Sequence, residues 1–452
     1  MADASAGRQS LQNLKESIRD KLYRAVISGG LAAPFAKDRG PALKAIESTW
    51  RANTPKRLAL EAKLQKRLSA LGKTGWQQVD HQELLSIAAD PAKHPTMQPR
   101  ELEIQLIKER HYSNLGLKGK KKGDHGIDDE LPRSIVQLVS MVHAETPAGD
   151  KVREQMPALI TQTAKLLAGP KFVLPLRHFY LHETGRKKPP KPSEWINKHV
   201  GRTKKPGRDG LARADDGLLV AAGYDSELDA FVAFRPAKLK SKGDMSRLLG
   251  LLEIDRVENF ETTTMGVLGH IAILKSPGFQ KLAMAILAND IPAGAWPNNP
   301  LHTAPKVVEE IKKKHKLSDD AALAYAQLLA LPDPTTANMR TWNDWTAARI
   351  KKATAELIKQ KLVMEAKRAR AGRNVFLPGE WAELKAPWLP IETWKLPHLT
   401  ESDLDSGQTY PVGGPMVLRP FEDLFAAAWQ RVLDGDMPKY EEVKRKRKKS
   451  TR

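Results

Sequence analysis

Residues 318–379 constrain the fold of this chain more than any other stretch. The run SDDAALAYAQLLAL is predicted to be a helix, with Ser318 placed to cap it and Asp319 and Asp320 at the positive end of its dipole. Leu-Pro-Asp-Pro at 331–334 stops it, because proline has no amide hydrogen and clashes with the preceding turn. A second helical segment begins near Thr335 and Thr336 and continues through TAARIKKATAELIKQ. Ile350, Leu357 and Ile358 fall on one side of it, with Arg349, Lys351, Lys352 and Lys359 largely elsewhere. KLVMEAKR then turns strand-like, ARAG forms a tip and RNVFLPG returns. The predicted order is helix, turn, helix, then two short strands joined by a basic loop.

A chain of 452 residues holds roughly two to four domains and can bury a core without disulfides. It has no cysteine, which removes disulfides, thiolate zinc sites and thiol nucleophiles. Lys and Arg total 74 against 53 Asp and Glu, a formal charge of +21. Such an excess attracts polyanions and releases their counterions. A membrane partner is not expected. The most apolar stretch, MGVLGHIAIL, is ten residues long, and a spanning helix needs about twenty. The opening MADASAGRQS lacks the apolar centre of a secretion signal, so a cytoplasmic location is expected.

The first ~170 residues read as helices. Leu11, Leu14, Ile18, Leu22 and Val26 recur at helical spacing, Pro41 opens a helix bearing Leu43, Ile46 and Trp50, and Leu60, Leu64, Leu68 and Leu71 mark a third. Further helical pieces fit 82–89, 100–110, 132–144 and 157–168. Residues 118–130 read as a charged loop. Residues 186–210 hold a run of basic residues and prolines whose composition favours an extended linker or phosphate-binding strap. Residues 217–238 give two apolar runs about a polar turn, a β-hairpin in which Asp225, Glu227 and Asp229 are turn residues. Helices are predicted at 244–252, 262–274, 278–288, 305–315 and 421–433. EWAELKAPWLPIETWKLPHL reads as an irregular segment anchored by Trp381, Trp388 and Trp394.

The order and spacing of 318–379 resembles a winged helix, a helix-turn-helix variant with a β-hairpin wing. IKQKLV looks like that family's helix-to-strand junction. The resemblance implies DNA contact, with a helix in the major groove and the wing on phosphate or the minor groove. Arg340, Arg349, Lys351 and Lys352 lie on or before the implied recognition helix, and Lys367, Arg368, Arg370 and Arg373 on the wing. Lys187, Lys188, Lys204 and Lys205 of the strap, and Lys444, Arg445, Lys446 and Arg447 of the tail, are further candidate phosphate contacts. Residues 305–399, including FLPGEW and LPIETWKLPHL, are similar to bacterial proteins encoded beside MoxR-type AAA+ ATPases and von Willebrand factor A proteins, which implies a subunit of a multi-protein system.

His178 and His182, with Glu183 beside them, would face one metal only on a helix, and half-buried or surface histidines are the simpler reading. No phosphate-binding, dinucleotide or nucleophile-elbow motif is present. No cofactor or metal is expected, and the chain leans toward a non-enzyme. Trp195, among lysines and prolines, is the best candidate for stacking a base.

The expected fold is mainly α with small β elements, in several domains. These are a helical domain at 1–185, a basic linker or strap at 186–215, a mixed α/β domain at 216–304 and a winged helix at 305–380. A Trp/Pro-rich docking segment with a helix follows at 381–443, and a basic tail at 444–452. The expected function is nucleic-acid binding, with DNA favoured over RNA. The alternatives are an adaptor that grips a protein partner and a nucleic-acid enzyme whose site leaves no motif.

Overall fold

The computed structural model describes residues 23–24, 37–53, 57–72, 81–98, 101–108, 113–119, 131–181, 189–253, 261–288, 290–384, 386–399 and 414–439. The expected helix at 11–26 falls almost wholly outside these residues, as do Lys187, Lys188, His182, Glu183 and the tail with Lys444, Arg445, Lys446 and Arg447. The chain divides into two units, 1–58 and 59–452. In the first, α1 (Gly40–Asn53) starts at the Gly-Pro pair, where proline's fixed φ suits a first turn.

The second unit is mainly helical with small antiparallel sheets. It opens with α2 (Ala62–Gly72), which buries Leu64, Leu68 and Leu71, and α3 (His81–Ala89). A strand pair follows, β1 (Leu102–Lys108) and β2 (Ser113–Gly119), in register from Leu102 opposite Gly119 to Lys108 opposite Ser113. The expected helix at 100–110 is therefore a strand. Leu102 and Ile104 alternate with polar neighbours, and the face they form joins Leu115 and Leu117 in one apolar cluster.

Next come α4 (Leu131–Glu145), buried along most of its length, and α5 (Lys151–Leu167), capped by Asp150. β3 (Leu174–Tyr180), α6 (Pro192–His199), β4 (Ala212–Asp215), β5 (Leu219–Tyr224) and β6 (Asp229–Phe234) complete the middle of the chain. The four strands form one antiparallel sheet in the order β3-β6-β5-β4. The expected hairpin is β5-β6. The expected boundaries around 186–215 are overturned, because β3 pairs with β6 and β4 with β5, so one sheet crosses both.

Nor is the strap a free linker. Its α6 buries Trp195 and Ile196, and sits so close to β5 that a Cβ on Gly223 would lie 2.6 Å from Pro192 and 2.9 Å from Ile196. Lys204 bridges Arg213 of the sheet edge through the backbone. Its proline-rich composition hid a short helix that proline itself starts, at Pro192.

α7 (Lys242–Glu253), α8 (Glu261–Lys275) and α9 (Pro277–Ala288) follow. Among the described residues no single helix is long and apolar enough to cross a membrane. The α8–α9 pair is bent by 49°, and Val267, Leu268, Ile271 and Leu274 of its first half are buried in the protein.

The C-terminal part contains α10 (Pro300–Thr303), α11 (Pro305–His315), α12 (Asp319–Ala330), α13 (Thr336–Asn343) and α14 (Ala347–Lys359). A two-residue ladder of β7 (Met364–Glu365) and β8 (Val375–Phe376) comes next. A second small ladder, β9 (Trp381–Ala382) with β10 (Ile391–Glu392), leads to α15 (Leu396–Leu399) and α16 (Phe421–Leu433). One hydrophobic core runs through all of this, from Val308 and Leu328 to Ile391, Phe425 and Trp429. The expected division at 380/381 therefore does not exist: α16 packs into the same core as α12.

Candidate nucleic-acid interface

Three helices build the site. Ser318 accepts from the Ala321 amide at the start of α12, Thr335 from Asn338 at α13, and Thr346 from Arg349 at α14. Each cap satisfies an amide that a helix start leaves open. The segment expected as one helix after Thr335 is broken. Asp344 adopts φ 51°, and its amide and that of Trp345 turn back to the Arg340 carbonyl. Trp342 and Trp345 are buried about this turn.

Helix α14 buries Ile350, Ala353 and Leu357. At 100° per residue the opposite face carries Ala348, Lys351, Lys352, Ala355 and Lys359, all exposed. Its one acid, Glu356, is turned to the side and accepts from the Ser318 amide at 2.7 Å and the Ser318 hydroxyl at 2.5 Å. The outer face thus presents three ammonium groups between two methyl side chains, with no carboxylate on it. A groove of about 310 Å³ runs beside this face, bounded by Lys351, Thr354 and Ile358 on the helix and by Glu365, Asn374 and Val375 on the hairpin.

The other predicted contacts divide sharply. Arg340 is exposed on α13, Lys367 on the hairpin, and Lys204 and Lys205 on the strap. Arg349 is held at 2.7 Å by both oxygens of Asp320 and lies over the Trp345 ring at 4.9 Å. That hydrogen-bonded pair lowers the Asp320 carboxyl from its ordinary value and raises Arg349, cross-bracing α12 and α14.

The hairpin arginines overturn their predicted role. The tip does not project. Ala371 is buried, and the Gly372 carbonyl accepts from the Thr336 amide at 3.0 Å. Gly372 has φ 67°, and a Cβ there would meet Thr335 at 2.8 Å, so only glycine lets the tip fold this close. Arg370 donates to the carbonyls of Leu384 at 2.8 Å and Trp388 at 2.6 Å. Arg368 lies over the rings of Trp381 at 4.5 Å and Phe376 at 5.5 Å. The Arg373 side chain is 3% exposed and pairs with the buried Glu392 at 2.8 Å, and Lys395 meets the same carboxylate at 3.0 Å. A guanidinium so enclosed cannot reach phosphate. Burial alone would raise Glu392, but the charges of Lys395 and Arg373 outweigh it and hold the carboxyl at about 2. Burial draws Lys395 down to about 8 against the pull of Glu392, and its ammonium also donates to the Leu331 carbonyl at 3.0 Å.

Trp195 is not a stacking platform. It is buried, with Phe179 at 4.5 Å and His199 at 4.9 Å between ring centres. His178 lies on a strand, beside Asp229 at 3.2 Å, which ends the helical metal reading. Among the described residues no group of three or more His, Asp or Glu could hold a metal. Sequence reasoning gave Lys359 no place among the contacts, and the alternation of alanine with lysine on α14 was the signal for it. No protein-family model, curated protein or solved structure matches the chain.

Proposed function

We propose that residues 319–376 form a winged-helix-like module that binds double-stranded DNA, chiefly through phosphate contacts. The observation that carries this reading is the outer face of α14. Lys351, Lys352 and Lys359 stand there in one stripe, with only alanine between them to limit how closely the helix approaches a groove. Arg340 of α13 and Lys367 of the hairpin are exposed as well and would extend the contact. The hairpin shapes the groove rather than reaching for DNA, because its arginines are already engaged by carbonyls, rings and Glu392. Three lysines make point-charge contacts and no bidentate base reading, so affinity exceeds sequence discrimination.

Titration of the full chain with duplex DNA, single-stranded DNA and RNA of equal length tests the reading. Duplex DNA is expected to bind most tightly. Changing Lys351, Lys352, Lys359 and Lys367 to Gln together is expected to weaken it by one to two orders of magnitude. Unchanged affinity in that variant, with its fold intact, would remove the proposal.

A second, adaptor role draws support from α9, where Met284 is 71% and Leu287 70% exposed on one side. A partner that stays bound through nuclease treatment and high salt, and is released by Met284→Glu with Leu287→Glu, would establish it.

A further inference from the structure

A second cleft, of about 230 Å³, opens where α2, the end of α4, the loop before α10 and the Leu-Pro-Asp-Pro turn meet. It shares no lining residue with the groove beside α14. Arg67 of α2 holds Glu145 of α4 at 2.8 Å through Nε, and reaches Asp333 of the turn at 3.6 Å. The Lys63 ammonium lies 3.8 Å from the other Glu145 oxygen, beyond hydrogen-bonding distance, and its side chain is 73% exposed at the mouth. The Glu145 side chain is 9% exposed, and its Oε2 accepts no hydrogen bond. Burial raises this carboxyl above its ordinary value, with Arg67 pulling the other way.

A buried acceptor without a donor destabilises the fold and marks a place for a ligand. The remaining surface describes that ligand. Trp296, Trp342, Pro387 and Leu389 are the larger apolar members of its lining. The Thr341 hydroxyl is already given to the Ala337 carbonyl at 3.2 Å, and the Asn338 amide to the Asp333 carbonyl at 2.8 Å. Glu145 Oε2 is thus the fully enclosed acceptor of the cleft that lacks a donor, while the Asp333 carboxylate, 18% exposed, keeps access to water. Two cations and two carboxylates leave the cleft with no net formal charge, so it does not select an ion in its depth. The exposed cation at the mouth suits an anionic tail.

We propose that this cleft binds a nucleotide whose base carries an exocyclic amino group. The ring lies against the tryptophans, the amino group donates to Glu145 Oε2, and the phosphate reaches Lys63. The assignment stands apart from DNA binding by α14 and does not depend on it.

Calorimetric titration of the full chain with CMP and UMP tests it, since cytosine sets an amino donor at C4 beside an N3 acceptor, where uracil sets a C4 carbonyl beside an N3–H. CMP is expected to bind about tenfold more tightly, because uracil would set a carbonyl oxygen against the carboxylate. Glu145→Gln is expected to reverse the preference. Its carbonyl can stay on Arg67 while its amide donates to the uracil oxygen, a change that a purely structural role would not produce. Lys63→Gln, at an exposed position that leaves folding intact, is expected to weaken CMP severalfold and leave cytidine unchanged. The proposal is overturned by absence of saturable binding of CMP, AMP and GMP at millimolar concentration. Equal affinity for CMP and UMP in the native chain, or equal loss of CMP and cytidine in Lys63→Gln, overturns it as well.

Discussion

Helix α14 and the hairpin after it each carry four cations, yet they spend them in opposite ways. On α14 only Arg349 is committed to an ion pair, and Lys351, Lys352 and Lys359 face solvent. On the hairpin Lys367 and Arg370 are exposed, but Arg370 is bound to backbone carbonyls. Arg368, Arg370 and Arg373 are taken up by aromatic rings, backbone carbonyls and Glu392. The residue type decides much of this. A guanidinium is weakly hydrated, stacks on rings and forks onto carboxylates, so it tolerates enclosure, whereas an ammonium on a flexible stem stays with water. Charge along a sequence therefore gives less guidance to a binding face than the division between Lys and Arg.

The contrast is sharpest at Glu392. Its removal leaves Arg373 and Lys395 buried without a partner, and a broken buried ion pair costs about 3–5 kcal/mol. Glu392→Ala should lose that much in urea melts. A loss under 1 kcal/mol would show that the hairpin is not locked from below. Glu392 also makes the lock acid-sensitive. Its folded value is depressed to about 2, so its contribution is complete above the unfolded value of 4.5 and disappears as pH falls through about 2.

The anchoring segment carries a second acid-sensitive group. Burial, with the charges of Arg431 and Lys395, lowers His398 from 6.5 to about 3, and its Nδ1 faces Arg431 at 3.1 Å. The unfolded chain takes up this proton first. Stability should then be lost below pH 6.5, by about 2 kcal/mol from this group by pH 5, and the loss should end near pH 3. Urea melts of His398→Gln should show a shallower fall by about one proton. The same slope in both proteins would assign the acid response elsewhere, for which His143, buried against Arg153, is the next group.

On the other side of the comparison, Lys351, Lys352 and Lys359 changed to Gln should leave melting nearly unchanged, since none holds the fold. Arg349→Gln should have only a small effect on stability. Its pair with Asp320 is half exposed, so about 0.5–1 kcal/mol of stability is at stake. A large loss of DNA affinity from Arg349→Gln alone would make that residue a contact rather than a brace.

Local signals in the sequence located much of this. Ser318, the Leu-Pro-Asp-Pro stop and the apolar spacing of 421–433 placed α12 and α16, and the Tyr-Asp-Ser-Glu-Leu turn placed β5-β6. Pairings between distant segments were not legible. β3 joins β6 across an intervening stretch of which 186–215 read as linker, and the partner of β1 is glycine-containing SNLGLKG, which looks little like a strand. The enclosure of Arg373 depends on Glu392 and Lys395, and the second cleft joins Arg67, Glu145 and Asp333 from three remote stretches. Long-range electrostatic partners leave no period in a single sequence.

The slope of log K against log salt for duplex DNA tests the central claim most directly, because it counts phosphates. The native chain is expected to give a steep negative slope, and changing Lys351, Lys352 and Lys359 to Gln should reduce its magnitude by about 2–3. An equal slope in both proteins, or a native affinity that does not respond to salt, would contradict binding through α14.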